Sequence, residues 1–113
     1  MSLIDKSNNT SQMKETFGEY IRILRTSKGL TLTQLAAKLD MDSANLSKVE
    51  NNKREFDEKR IIKLAKIFEI NVQELRDEYY SEKFAKKIYE NNCSDNVIFL
   101  AKQKIEYIKS KYD

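Results

Sequence analysis

The side chains that carry out most enzyme chemistry are scarce in this sequence of 113 residues, which contains no His, one Cys and two Gly. Without His there is no imidazole to serve as a general base or a metal ligand. A single Cys forms neither a zinc cluster nor an internal disulfide, and two isolated glycines do not make a phosphate-binding loop. We therefore expect a binding protein that is not an enzyme and uses no cofactor or metal.

Two other sites in the sequence contain residues that could bind a metal or react chemically. Asp40 and Asp42 are spaced like part of a calcium loop, but the further oxygen ligands that calcium needs do not follow them. Turn and helix-capping roles explain both residues. Cys93 lies between Asn92 and Ser94, and we interpret it as a loop residue and not as a redox sensor.

Basic residues are concentrated early in the chain. Segment 20–39 has no acidic residue and contains Arg22, Arg25, Lys28 and Lys38, whereas the net charge of the whole chain is only +3. A basic segment favours a nucleic-acid partner, but it is equally typical of a solvated helix face. Charge alone leaves both interpretations open.

No membrane or targeting segment is evident in the sequence. No apolar run approaches the roughly 20 residues of a membrane span. Residues 1–13 are predicted to form a flexible tail, rich in Ser, Asn and Thr and without the apolar centre of a signal peptide. Together with the lone Cys93, this predicts a cytoplasmic protein with no membrane partner.

The hydrophobic pattern is helical along almost the whole chain, which lacks Pro and shows no sustained alternation of apolar and polar residues. In the first predicted helix Phe17, Ile21 and Leu24 recur on one face, and Gly29 is placed to end the helix as a left-handed cap. Gly18 inside that helix predicts close packing, because glycine costs a helix roughly 1 kcal/mol relative to alanine. The sequence therefore predicts an all-α fold.

Helix caps divide this pattern into seven predicted helices. They are Lys14–Lys28, Thr31–Asp40, Ser43–Asn51 and four further helices capped by Asp57, Asn71, Ser81 and Ser94. The first five are predicted to form one domain over 14–80. The last two, on either side of a break at 91–93, are predicted to form a helical hairpin over 81–113.

Segment 31–53 is the most informative part of the chain. Two short predicted helices are separated by a brief turn, and Ala36 is small where the helices would cross. Leu35, Leu46 and Val49 would hold the two helices together. This arrangement is typical of a helix-turn-helix, whose second helix presents a polar face to the major groove. The spacing alone fits a generic helix pair equally well.

Several short motifs between Phe17 and Leu75 match a known family. They are Leu30-Thr31, Gln34-Leu35-Ala36, Lys38-Leu39, Leu46-Ser47, Val49-Glu50-Asn51, Lys53-Arg54 and Leu64-Ala65, followed by Ile70 and Leu75. With these motifs the segment resembles the Cro/phage-repressor-like (XRE) helix-turn-helix family. Asp40 and Asn52 stand where the family has glycine, and Phe56 replaces a common proline. Asp and Asn tolerate the left-handed conformation that glycine would supply.

The resemblance implies a DNA-binding role for residues at the matching positions. The implied base contacts are Ser43, Ala44, Asn45, Ser47 and Lys48. The implied phosphate contacts are Arg25, Thr31, Thr33, Asn51, Lys53 and Arg54. The resemblance also implies an ion pair between Arg25 and Glu50. Asn can bond adenine, Lys can bond guanine, and a helix N-terminus can bind phosphate, although the same residues could serve only as caps, phosphate contacts or solvated charges.

The residues after Tyr80 lie outside this resemblance. Most aromatic residues of the chain are found at its end, namely Tyr79, Tyr80, Phe84, Tyr89, Phe99, Tyr107 and Tyr112. Because this predicted hairpin is so apolar, it must bury its apolar face, either against the five-helix domain or against a second copy of the chain. Members of the family usually bind two half-sites as dimers, so a homodimer is favoured. The hairpin is too thin to enclose a small-molecule ligand.

The predicted function is therefore sequence-specific binding of double-stranded DNA by a dimeric transcriptional regulator, a repressor of a small operon. A phage repressor, a restriction–modification controller and an antitoxin all fit this description. The alternative is a helical protein–protein adaptor that keeps the fold without binding DNA. The adaptor is favoured by the acidic residues near the predicted DNA-reading face of the second helix of the helix-turn-helix, which are Asp40, Asp42, Glu50 and Glu55.

Overall fold

The computed structural model describes residues 15–113, so the predicted tail at 1–13 lies outside the described residues. The described chain has no strand, which confirms the all-α fold class. Its α-helices are α1 (Phe17–Ser27), α2 (Leu32–Lys38), α3 (Ser43–Glu50), α4 (Ile61–Phe68), α5 (Val72–Glu90) and α6 (Asn96–Tyr112), with a 3-10 turn (Glu58–Arg60) before α4. The chain divides into two compact units, the first ending at Tyr80 and the second spanning Ser81–Asp113.

Local capping chemistry sets where the first helices begin. The hydroxyl of Thr16 accepts from the N–H of Glu19 at 3.0 Å, and the Glu19 carboxylate accepts from the N–H of Thr16 at 3.0 Å. The helix α1 therefore begins at Phe17 and not at Lys14, because Thr16 itself has an extended backbone. Thr31 and Gln34 form the predicted reciprocal pair at the start of α2.

The connections between helices rely on residues with left-handed backbones. Gly29 after α1 has a φ of 68°, as predicted for a glycine cap. Asp40 between α2 and α3 has a φ of 57°, and Asn52 after α3 has a φ of 64°. The turn therefore keeps the usual conformation although aspartate and asparagine stand in place of glycine.

The first unit buries one apolar core shared by all its helices. Its fully enclosed side chains include Ile21, Leu35, Leu39, Leu46, Ile61, Leu64 and Leu75. Helix α1 approaches α3 closely at Gly18, where an added Cβ would lie 2.0 Å from the carbonyl oxygen of Val49. The close packing predicted for Gly18 is confirmed, and no side chain fits at this crossing.

Phe56 anchors the loop that leads from α3 to α4. Its side chain is buried and lies 5.8 Å from the ring of Phe17, centroid to centroid. The hydroxyl of Tyr79 donates to the backbone carbonyl of Phe56 at 2.6 Å. Tertiary contacts thus fix the segment at which the family commonly has a proline.

The predicted helix boundary at Ser81 is wrong. Helix α5 continues unbroken from Val72 to Glu90, because this stretch contains no Gly or Pro and a single Ser lowers helix stability by only a few tenths of a kcal/mol. In the second unit a turn over 91–95 joins the end of α5 to α6, with Asn92 at a φ of 54°, and the packing of the two helices as a hairpin stays a prediction. No helix in residues 15–113 is long and apolar enough to cross a membrane.

Candidate nucleic-acid interface

Helix α3 has two distinct faces. Leu46, Val49 and Glu50 are buried, and the helix packs against α1 and α2. The other five residues are half-buried or exposed, and they are the predicted base contacts Ser43, Ala44, Asn45, Ser47 and Lys48. The outward face is therefore built from small, polar and basic side chains, which can approach a partner closely and exchange hydrogen bonds with it.

The turn before α3 fixes the start of that helix. The N–H of Met41 donates to the carbonyl of Ala36 at 2.9 Å, which folds the chain back after α2. The carboxylate of Asp42 then accepts from the N–H of Ala44 at 2.9 Å and caps α3. Arg60 donates to the carbonyls of Leu39 and Asp40, each at 2.8 Å, and so satisfies the end of α2.

A buried ion pair joins α1 to the end of α3. The side chain of Glu50 is 1% exposed, and its carboxylate accepts from Nε of Arg25 at 2.8 Å and from Nη2 of Arg25 at 2.9 Å. Nη1 of Arg25 donates to the carbonyl of Leu30 at 3.0 Å. The hydrogen bonds from Arg25 to Glu50 raise the pKa of Arg25 above its usual range, so the guanidinium of Arg25 remains charged.

These contacts occupy most of the donors of Arg25, whose side chain is 13% exposed. Its role in this structure is to hold α1 against α3, and its contact with a phosphate stays a prediction. Arg22, one turn earlier on α1, is more accessible, with 47% of its side chain exposed. Arg22 is absent from the predicted contacts, although its spacing of three from Arg25 places both on one face of a helix.

Arg22 extends the ion pair to the surface at the end of α3. Its Nε lies 3.4 Å from the Glu50 carboxylate, and its Nη2 donates to Oδ1 of Asn51 at 2.9 Å. The amide nitrogen of Asn51 donates to the carbonyl of Ser47 at 2.8 Å. Asn51 is thereby held between α3 and an exposed guanidinium, so the predicted phosphate contact Asn51 has a cation beside it.

Three more cations lie on or just after α3. Lys48 and Lys53 are exposed, and neither side chain makes a hydrogen bond or ion pair with another described residue. The N–H of Lys53 donates to the carbonyl of Lys48 at 2.8 Å and closes the end of the helix. Arg54 donates from Nη1 to Oδ1 of Asn45 at 2.8 Å, so this predicted phosphate contact touches a predicted base contact.

Thr31 and Thr33 lie at the start of α2, and no hydrogen bond joins them to the α3 residues within the described chain. The hydroxyl oxygen of Thr31 accepts from the N–H of Gln34 at 3.1 Å, while the N–H of Thr31 donates to the Gln34 side chain at 2.9 Å. The hydroxyl proton of Thr31 can still donate to an external oxygen. Thr33 is exposed in the first turn.

Intramolecular contacts account for three of the four acidic residues near the outward face of α3. Glu50 is paired with Arg25, and Asp42 caps α3. Asp40 forms an ion pair with Lys63, and the hydrogen bond from Lys63 lowers the pKa of the Asp40 carboxyl. These acids have structural roles and do not form an isolated anionic patch. Within residues 15–113, no group of three or more His, Cys, Asp or Glu side chains could hold a metal ion.

A family model described as helix-turn-helix matches residues 21–75 of the chain. This match includes α2, the turn and α3 in full, and it extends to the first turn of α5. No curated protein matches the chain.

The chain is also similar to solved structures, of which three are described here. The restriction-modification controller protein C.AhdI from Aeromonas hydrophila is 37% identical over 52% of this chain and 89% of that one, with a TM-score of 0.47. A complex of the SinR and SinI proteins gives 22% identity over 84% and 99% of the respective chains, with a TM-score of 0.49. A transcriptional regulator from Listeria innocua gives 19% identity over 88% and 98%, with a TM-score of 0.50. The last likeness concerns the fold alone.

Proposed function

Because the chain belongs to the Cro/phage-repressor-like (XRE-type) helix-turn-helix family, we propose that it is a transcriptional regulator that binds double-stranded DNA and recognises its sequence with α3. The observation that carries this proposal is the division of α3 into a buried face and an outward face of small, polar and basic residues. A helix with these properties fits the width of the major groove and can bond to base edges.

Individual side chains of α3 suit particular bases. The amide of Asn45 matches the N6 and N7 edge of adenine, and the ammonium group of Lys48 can donate to O6 and N7 of guanine. The methyl group of Ala44 can contact the methyl group of thymine, and the hydroxyls of Ser43 and Ser47 can bond to several bases. These five residues are proposed to read the sequence.

Cations and helix ends around α3 are proposed to bind the flanking phosphates. Lys53 and Arg54 follow the reading helix, and Arg22 and Asn51 lie together at its end. The first turn of α2, with Thr31 and Thr33, provides hydroxyl groups at a positive helix end. Such contacts fix the orientation of the protein on the duplex without reading its sequence.

The second unit is proposed to make the protein a homodimer, which would bind an operator with two half-sites and repress by excluding the polymerase. On α6 large apolar side chains remain exposed, among them Ile98 at 56%, Ile105 at 50% and Ile108 at 53%. These residues recur at helical spacings and form one stripe. A second copy would cover the same stripe by two-fold symmetry, as closed dimers do.

DNA titrations at several salt concentrations test the proposed function. Fluorescence anisotropy with random-sequence duplexes between 50 and 200 mM salt should show affinity that falls steeply as salt rises, because phosphate contacts release counterions. A regulator making about six phosphate contacts is expected to lose roughly a thousandfold in affinity over this range. A weak response that does not change with salt would favour a protein–protein adaptor instead.

A further inference from the structure

Arg54 reaches back from the loop after α3 to a residue on the reading helix. Its Nη1 donates to Oδ1 of Asn45, nine residues earlier, at a distance of 2.8 Å. Because arginine has only donors, the atom that faces it must be the amide oxygen of Asn45. The NH₂ group of Asn45 therefore points away from Arg54.

The end of α3 makes this contact possible. Asn52 adopts a left-handed backbone, with a φ of 64°, and the N–H of Lys53 donates to the carbonyl of Lys48. This cap reverses the chain immediately after the helix. Arg54 is thus directed along the helix toward Asn45, which is half-buried on the outward face of α3.

We propose that Arg54 is a positioning residue that orients the amide of Asn45 for base recognition and so helps to determine the preferred DNA sequence. This inference rests on the proposed function and deepens it. An asparagine reads adenine by accepting from N6 with its oxygen and donating to N7 with its nitrogen. The bond from Arg54 selects one orientation of the amide, and Oδ1 keeps a second lone pair for the base.

Lys53 provides a matched comparison for Arg54. It is the adjacent residue, it is basic and exposed, and its side chain contacts no other described residue through a hydrogen bond or ion pair. If both residues contacted only phosphates, their removal would weaken binding to all sequences alike. A positioning role predicts that only the loss of Arg54 changes the preference among bases.

The test measures base preference and affinity separately for five proteins. Wild type, Arg54→Ala, Lys53→Ala, Asn45→Ala and the double variant Asn45→Ala/Arg54→Ala are selected against random duplexes and then titrated with duplexes changed at single positions. Arg54→Ala and Asn45→Ala should relax preference at the same operator position, each by roughly 5- to 150-fold in discrimination, the range of one bidentate base contact. The double variant should lose no more discrimination than Asn45→Ala alone.

A second measurement needs no DNA. In NMR spectra of the free protein, the side-chain NH₂ signals of Asn45 should move in Arg54→Ala and stay in place in Lys53→Ala. If these signals do not respond to Arg54→Ala, or if this variant lowers affinity for every duplex by one factor as Lys53→Ala does, the positioning role is refuted and the proposed function stands. If the wild type prefers no sequence, the proposed function and this inference both fail.

Discussion

At the scale of single residues, the pair formed by Arg25 and Glu50 supports the candidate interface most directly. An unpaired carboxylate inside a protein costs several kcal/mol, and two hydrogen bonds from Arg25 offset this cost. The pair was expected from the family's motifs. The contribution of Arg22 was not expected, because spacing along one helix does not show which residue of another helix it will meet.

We expect Arg25→Ala to lower the free energy of unfolding by about 3–5 kcal/mol, because it leaves the Glu50 carboxylate buried without its main partner. Arg22→Ala is the matched control, since Arg22 also reaches Glu50 but is largely exposed; its cost should stay below about 1 kcal/mol. Urea unfolding followed by circular dichroism measures both. Equal losses in the two variants would contradict the assigned role of Arg25.

The buried phenol of Tyr20 leads us to expect that the free energy of unfolding falls at alkaline pH. Burial, the largest cause, together with the nearby charges of Glu78, Glu15 and Glu74, raises the pKa of Tyr20 to about 12. In the unfolded chain the phenol loses its proton near pH 10, so stability contributed by the neutral phenol is complete below pH 10 and is lost as pH rises toward 12.

Tyr20→Phe should remove this part of the alkaline dependence, which corresponds to at most about 3 kcal/mol. The free energies of unfolding of wild type and variant are compared at pH 9 and pH 12 under the same salt. We expect the wild type to lose more stability than Tyr20→Phe over this interval. An equal loss in the two proteins would show that other groups cause the alkaline unfolding.

At the scale of helices, the features that depend on neighbouring residues could be predicted from the sequence. The caps at Thr31 and Asp42 and the left-handed Gly29 follow from side chains within three or four positions. Features that depend on distant contacts could not. Phe56 is a single aromatic residue in a polar loop, so no periodicity indicates that it packs on Phe17. Helix α5 continues through Ser81 because the helix-forming residues on both sides outweigh one serine, and a single capping residue does not reveal this.

The crossing of α1 and α3 yields a prediction about Gly18. Gly18→Ala should destabilise the protein by about 3 kcal/mol despite its better helix propensity, because the new Cβ would lie 2.0 Å from the carbonyl oxygen of Val49. Gly29→Ala is the control, since nothing lies within 4 Å of the added Cβ and only the φ of 68° opposes it, at a cost of roughly 1–2 kcal/mol.

Thermal and urea unfolding of the two glycine variants separate these effects. Gly18→Ala should also weaken DNA binding, since a shift of α1 displaces α3 and the cations around it. A Gly18→Ala variant as stable as wild type would mean that α1 and α3 do not cross as closely as described.

At the scale of the whole molecule, the candidate site could be outlined from the sequence, but its arrangement could not. The outward residues of α3 were all predicted, because a helix with three buried positions leaves the rest to solvent. The bond between Arg54 and Asn45 requires the fold of the loop after α3. That the apolar stripe of α6 faces a second copy stays a prediction.

The proposed dimer predicts that charge on the α6 stripe produces a monomer. The variant Ile105→Glu/Ile108→Glu should sediment as a monomer at concentrations at which wild type is a dimer, because two carboxylates would be buried without partners. It should bind a single half-site as wild type does but lose the gain from two half-sites. Gln103→Glu, an exposed position away from the stripe, is the control. A monomeric wild type would contradict the proposal.

Recognition of DNA sequence by α3 is the central claim, and selection from random duplexes with wild type and Lys48→Ala tests it most directly. The wild type should select one preferred sequence. Lys48→Ala should relax the preference at one position of that sequence and cost about 1–3 kcal/mol in binding. If wild type selects no sequence, or if Lys48→Ala selects the same sequence with unchanged preference at every position, base reading by this face of α3 is contradicted.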